Sequence, residues 1–209
     1  MKIDLDKLKS NLLDKISNSV ISSQILLGKC RLSTESSRNT SAFTDPNYFP
    51  FYYHLGSLVP AENLMEIGFD LGLPSRCFLQ GSKTVKSFFG FHESQNDVFY
   101  SDRMARGNIK DCFKGEIDSF SGRITDGAFL KSLHKKKWDV VIIDVETGYD
   151  KHLTFLDLMW SNLSSNGLLV VDYLEKHESS RKAFDDFCKT RNREATLLPT
   201  RYGVGIIQR

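Results

Sequence analysis

Past Pro60, short apolar runs alternate with segments of helical spacing almost to the end of the chain. Leu64–Ile67, Val85–Phe91, Ile109–Phe113, Val140–Ile143 and Leu168–Val171 read as strands. Pro74–Gln80, Val98–Ala105, Gly127–His134, Tyr149–Leu163 and Ser179–Thr190 read as the intervening helices. The runs Val140-Val141-Ile142-Ile143 and Leu168-Leu169-Val170-Val171 are unbroken rather than alternating, the pattern of strands covered on both faces. Strand and helix in strict alternation require a parallel sheet with right-handed crossovers. The tail departs from this rhythm: Ala195–Leu198 and Val204–Gln208 are two β-prone pieces joined by Pro199-Thr200-Arg201-Tyr202-Gly203. The fold class is therefore α/β, a doubly wound, Rossmann-like and mostly parallel seven-stranded sheet with a C-terminal antiparallel hairpin.

At 209 residues and 40% hydrophobic content, the chain can build one sizeable core. Before that core, residues 3–27 place Leu5, Leu8, Leu12, Ile16 and Val20 at helical spacing, and Gly28 ends the helix. Lys29 to Asn47 is polar and reads as a long arm. The chain thus divides into a helix and arm over 1–47 and a Rossmann-like domain over 48–209. An apolar helical stripe needs a covering surface, so residues 1–47 are the expected contact for a homo-oligomer or an assembly partner. Tyr48 to Leu55 is dense in aromatic residues and reads as a short helix at the domain edge or the mouth of the site.

Charge narrows the partners. The 28 basic and 26 acidic residues are interspersed, leaving +2 and no footprint for nucleic acid; Lys135-Lys136-Lys137 reads as a solvated rim. The longest apolar runs fall far short of the roughly 20 residues of a membrane-spanning helix. Cys30, Cys77, Cys112 and Cys188 form no CxxC pair and no apolar leader is visible, so a cytoplasmic setting is expected.

An open α/β sheet binds its ligand outside the carboxyl ends of its strands, where strand order reverses. The first strand runs into Glu66-Ile67-Gly68-Phe69-Asp70-Leu71-Gly72, and Pro74 suits the first turn of the next helix. Gly68 and Gly72 permit a tight turn and close approach of a ligand to the backbone.

The spacing Glu-Ile-Gly-x-x-x-Gly resembles the first motif of class I S-adenosylmethionine-dependent methyltransferases, especially the small-molecule O-methyltransferase-like group. The resemblance runs from about Tyr48 to Arg209. It takes in Trp138-Asp139-Val140-Val141-Ile142-Ile143-Asp144 as a fourth strand with its terminal acid, and Asn162 to Asp172 as the passage into the fifth. It implies S-adenosylmethionine as cofactor, with Glu66, Gly68, Phe69, Asp70 and Gly72 shaping the pocket for its methionine end. It further implies His92 or Glu93 at the ribose, Glu116 beside the adenine amine, and Asp144 at the cofactor and the reacting centre. Asp172 joins Asp144 there, and Tyr149, with His54 and His152, supplies candidates for a base. In the metal-dependent branch of that family a third ligand follows the fifth strand. Here that position is Tyr173, a poor ligand for a hard cation, and a histidine often found beyond the fourth strand is Thr147. No metal is therefore expected.

The reading that follows is methyl transfer from S-adenosylmethionine to a small-molecule or sugar-like acceptor. The alternative is a catalytically silent protein of this fold acting as a binding or assembly module, which His92, Thr147 and Tyr173 favour. A nicotinamide-dependent oxidoreductase is disfavoured, because the first turn lacks the three-glycine pyrophosphate fingerprint.

Overall fold

A computed structural model describes residues 2–28, 30, 45–93 and 98–209. Most of the polar arm expected from Lys29 to Asn47 lies outside the described residues. The elements in chain order are α1 (Leu5–Ser17), α2 (Ser23–Leu27), α3 (Tyr48–Leu58), β1 (Asn63–Ile67), α4 (Leu73–Gly81), β2 (Ser87–Glu93), α5 (Val98–Lys110) and β3 (Glu116–Gly122). There follow α6 (Gly127–Leu133), β4 (Trp138–Ile143), α7 (Tyr149–Asn162), β5 (Leu163–Val171), α8 (Glu178–Thr190), β6 (Ala195–Leu198) and β7 (Val204–Gln208).

The seven strands form one sheet in the order β3-β2-β1-β4-β5-β7-β6. The pairings of β1 to β5 are parallel, and β7 runs antiparallel between β5 and β6. Strand order reverses between β1 and β4, so the crevice of a doubly wound sheet opens at their carboxyl ends.

Alternate residues of the central strands feed two hydrophobic layers. On one face Leu64, Val140, Ile142, Leu168 and Val170 pack with residues of α1 to α5, including Leu12, Phe51, Phe78 and Ile109. On the other, Met65, Ile67, Val141, Ile143 and Val171 pack with Phe129, Phe155 and Phe184 from α6, α7 and α8. Both faces of β1, β4 and β5 are dry, which explains their unbroken apolar runs.

Two expectations need correction. Ile109 to Phe113 is not a strand: Ile109 is buried near the end of α5 and Phe113 packs beside it one turn later. The third strand is Glu116–Gly122, an edge strand with no fully buried residue. Residues 3–27 do not form one helix either. Asp4 caps α1 through Lys7 N–H (3.0 Å), Asn18 closes it, and Ser22 caps the separate α2 through Ile25 N–H (3.3 Å). The break turns Val20 out of the expected stripe and leaves it 91% exposed, while Leu8 and Leu12 are buried against α3 and its neighbours.

Candidate functional site

Strand register places three carboxyls on one face of the sheet. Glu66 follows Leu64 on the face of α3 and α4, Asp144 stands two residues beyond Ile142, and Asp172 two beyond Val170. Glu66 is in register with Ile142, and Val170 with Ile142, so Asp144 and Asp172 are lateral neighbours and Glu66 lies one step below them. Glu66 and Asp144 of this row border a cavity of about 190 Å³ at the switch point, lined also by Gly68, Asp70, Gly72, Tyr48 and Tyr173, while Asp172 lies behind the two tyrosine side chains that it holds or precedes.

Each carboxyl meets a different cover. Glu66 is fully buried; one oxygen accepts the N–H of Ser75 in the first turn of α4 (3.2 Å), and Oε1 has no partner. Burial raises its pKa to about 8. Asp172 is fully buried and well supplied with donors. Its Oδ2 accepts the phenols of Tyr48 (2.6 Å) and Tyr52 (3.3 Å), which project one helical turn apart from α3, and Oδ1 accepts Tyr173 N–H (2.7 Å). Desolvation still raises its pKa to about 6. Asp144 sits between them with Oδ1 sealed from water and unpartnered, and the Tyr173 phenol hydrogen-bonds the same carboxyl. Burial, then the neighbouring Asp172 and Glu66, push its pKa well above the ordinary range. Tyr173 itself is held at φ +62°, an uncommon conformation for a bulky residue, which turns its ring into the cavity wall.

The turn between β1 and α4 is built around Gly68. At φ +94° any side chain is strained, and a Cβ there would stand 2.0 Å from the Asp144 carbonyl oxygen. The glycine thus lets β4 close against β1, and its requirement is met by the protein itself and not by a ligand. Gly72, at φ +64°, caps α4, and Phe69 turns its ring inward to pack on Phe88 (5.2 Å). Asp70 is exposed at the rim.

Other sequence candidates stand elsewhere. Glu116 begins β3 at the amino end of the strand, opposite the crevice, and pairs with Lys136 (3.1 Å). The misplaced third strand is the reason: the residue precedes the strand it was expected to follow. At the end of β2, Phe91 faces α6 and α7, which puts His92 on the crevice face and Glu93 on the far face. Glu93 is ion-paired there with Lys151 of α7. Tyr149 also turns away: its hydroxyl donates to Asp186 of α8 (2.8 Å), and Lys182 lies over its ring at 4.6 Å. His152 is buried under α7, with Nδ1 3.4 Å from Thr147 Oγ1 and Nε2 unpartnered, and His54 meets Ser19 Oγ at 3.0 Å beside α1. None of these three borders the cavity.

The residue that sequence reading missed is Tyr48 as a partner of Asp172. The spacing of Tyr48 and Tyr52 places two phenols on one helix face, but an acid 124 positions downstream is visible only in the fold. Among the described residues, no group of three His, Cys, Asp or Glu side chains is arranged to hold a metal ion. Among them too, no helix is long and apolar enough to cross a membrane.

No family model matches the chain, and no curated protein matches it in sequence. Solved structures do match over nearly its whole length. An O-methyltransferase of Bacillus cereus in complex with S-adenosylhomocysteine aligns at TM-score 0.65 and 13% identity, covering 98% of each chain. A methyltransferase of Podospora anserina bound to S-adenosylhomocysteine aligns at 0.66 and 12%, covering 99% of this chain and 97% of that one. The O-methyltransferase TomG of Streptomyces achromogenes, in complex with S-adenosylmethionine and involved in tomaymycin synthesis, aligns at 0.67 and 14%, covering 99% and 98%. With its strand order, its terminal hairpin and its crevice between β1 and β4, this chain has the Rossmann-like fold of class I S-adenosylmethionine-dependent methyltransferases.

Proposed function

We propose that the protein transfers a methyl group from S-adenosylmethionine to a small-molecule acceptor, and that it does so without a metal ion. The observation that carries this reading is the unpartnered Oε1 of the fully buried Glu66 in the cavity wall at the switch point. A carboxyl kept from water at that place is stabilised by a cationic hydrogen-bond donor, and the ammonium of a methionine moiety is one. Glu66 and the turn over Gly68, Phe69, Asp70 and Gly72 would hold that end of the cofactor. When bound, S-adenosylmethionine supplies an activated methyl on a sulfonium, so the protein's task is placement and proton removal.

Asp144 is the group suited to take a proton, since it lines the cavity with Oδ1 unpartnered, and burial and then its acidic neighbours raise its affinity for a proton. Asp172 has a positioning role. With both oxygens engaged by Tyr48, Tyr52 and the backbone of Tyr173, it fixes the wall, and a cation there would have to displace or share those donors. That engagement supports metal-independent transfer.

One observation favours the second reading, a catalytically silent binding module. The acid expected to take the ribose hydroxyls is engaged by Lys151 on the far face, leaving His92, which accepts one such bond at most. Calorimetric titration with S-adenosylhomocysteine separates the two. Catalysis predicts sub-millimolar affinity that falls about tenfold or more in Glu66→Gln. No heat at millimolar ligand overturns the methyltransferase reading and leaves the module.

A further inference from the structure

The crevice holds more acid than its proposed cofactor neutralises. Glu66 Oε1 and Asp144 Oδ1 are both sealed from water and unpartnered, yet they belong to different strands, one step apart in register. If the methionine ammonium meets Glu66, Asp144 is left over. Asp172, an acid itself, only adds to the charge beside it. Among the described residues no lysine or arginine lines the cavity; Lys176 is ion-paired with Glu146 of the lining and lies 5.2 Å over the Tyr173 ring. An acceptor bearing a carboxylate or phosphate would meet the acids Glu66, Asp70, Asp144 and Glu146 there, whereas a cation would meet the Asp144 carboxyl and the aromatic rings of Tyr48 and Tyr173.

We propose that the methyl acceptor is a small primary or secondary amine, recognised as its ammonium by Asp144 beside Tyr48 and Tyr173, a proposal that rests on the cofactor reading above. The proton balance is closed by the same residue. The ammonium gives one proton to the Asp144 carboxylate, freeing the nitrogen lone pair. That pair forms the new N–CH3 bond as the S–CH3 bond breaks with its electrons remaining on sulfur, and the Asp144 proton passes to water. Asp70, Glu66, Asp172 and Glu146 are the other acids facing this position, so the local field favours the ammonium form throughout.

The test uses the full chain saturated with S-adenosylhomocysteine and titrated calorimetrically with benzylamine, phenethylamine and 1,4-diaminobutane, each against its alcohol counterpart. At least one amine should bind tenfold or more tightly than its alcohol, and Asp144→Asn, itself saturated with S-adenosylhomocysteine, should erase that preference. If no amine outbinds its alcohol, or if Asp144→Asn keeps the preference, the amine proposal is overturned while the cofactor reading stands. If S-adenosylhomocysteine itself fails to bind, the cofactor reading falls and this proposal with it. Should Asp144→Asn not fold, the amine-to-alcohol ratio of the native chain decides alone.

Discussion

Glu66, Asp144 and Asp172 are carboxyls kept from water, and His152 is an imidazole kept from water, so the protein's stability must depend on pH from both sides. Glu66 moves from 4.5 to about 8 and Asp172 from 3.8 to about 6. In that window the folded chain holds more protons than the unfolded one, so their stabilising contribution, complete at low pH, is lost as pH rises through the folded values. His152 moves the other way, from 6.5 to about 4, because burial disfavours its cation. Below about pH 6.5 the unfolded chain binds the extra proton, and stability falls as pH drops. A tenfold difference in proton affinity between folded and unfolded chain corresponds to about 1.4 kcal/mol. Glu66 and Asp172 together outweigh His152, so urea unfolding should show stability falling by up to roughly 4 kcal/mol as pH rises from about 4 toward 9. Glu66→Gln should flatten the alkaline limb; an unchanged limb would show that Glu66 is ionised and solvated. The acids at the ends of β1, β4 and β5 were legible in sequence because strand ends are marked by the close of an apolar run. Their partners were not. Which face a side chain takes at the end of a strand follows from register, and that is why Glu93 turns away; Tyr149 and Tyr48 open helices, whose packing on the sheet sets their directions.

Among the elements, α3 and α4 form the walls that frame the crevice, and they meet at very short range. A Cβ on Gly56 of α3 would lie 2.1 Å from the Phe78 carbonyl oxygen of α4. In an exposed helix Gly→Ala is favourable by about 1 kcal/mol. Here the contact with backbone cannot relax cheaply, and we expect Gly56→Ala to cost about 2 kcal/mol or more, lowering Tm by roughly 4–8 °C in a scanning fluorescence melt. A neutral or stabilising result would mean the helices are farther apart. Elements buried on both faces, such as β4 and β5, were plain from their unbroken runs. The edge strand β3 was not, because Glu-Ile-Asp-Ser-Phe-Ser-Gly needs few apolar residues at a sheet margin. Ile109 and Phe113, four apart, belong to the inner stripe of α5 and the turn after it, and helical spacing over so short a stretch looks like a strand's apolar run. The division of α1 from α2 was hidden for a similar reason: Val20 continues the helical period by coincidence, and the serines at 19 and 22 that break the helix also occur within helices.

For the molecule as a whole, the helices before residue 47 pack on the domain that follows, since Leu8, Leu12, Leu26 and Leu27 share a hydrophobic cluster with Phe49, Phe51 and Phe78. Val20 and Ile25 are 91% and 67% exposed on the same segment. We propose that this segment also contacts a second copy or another partner. Deleting residues 1–45 should then change the subunit number seen by light scattering or sharply reduce solubility; a truncated chain with the same mass and equal solubility would contradict an assembly role. The central claim is that the crevice at the β1–β4 switch point binds the methionine end of S-adenosylmethionine. It is tested most directly by following backbone amide resonances of the full chain during titration with S-adenosylhomocysteine. Saturable shifts concentrated at Gly68 to Leu73 and at Asp144 to Glu146 are the expected result. No shifts at millimolar ligand, or shifts confined to residues far from this crevice, would contradict it.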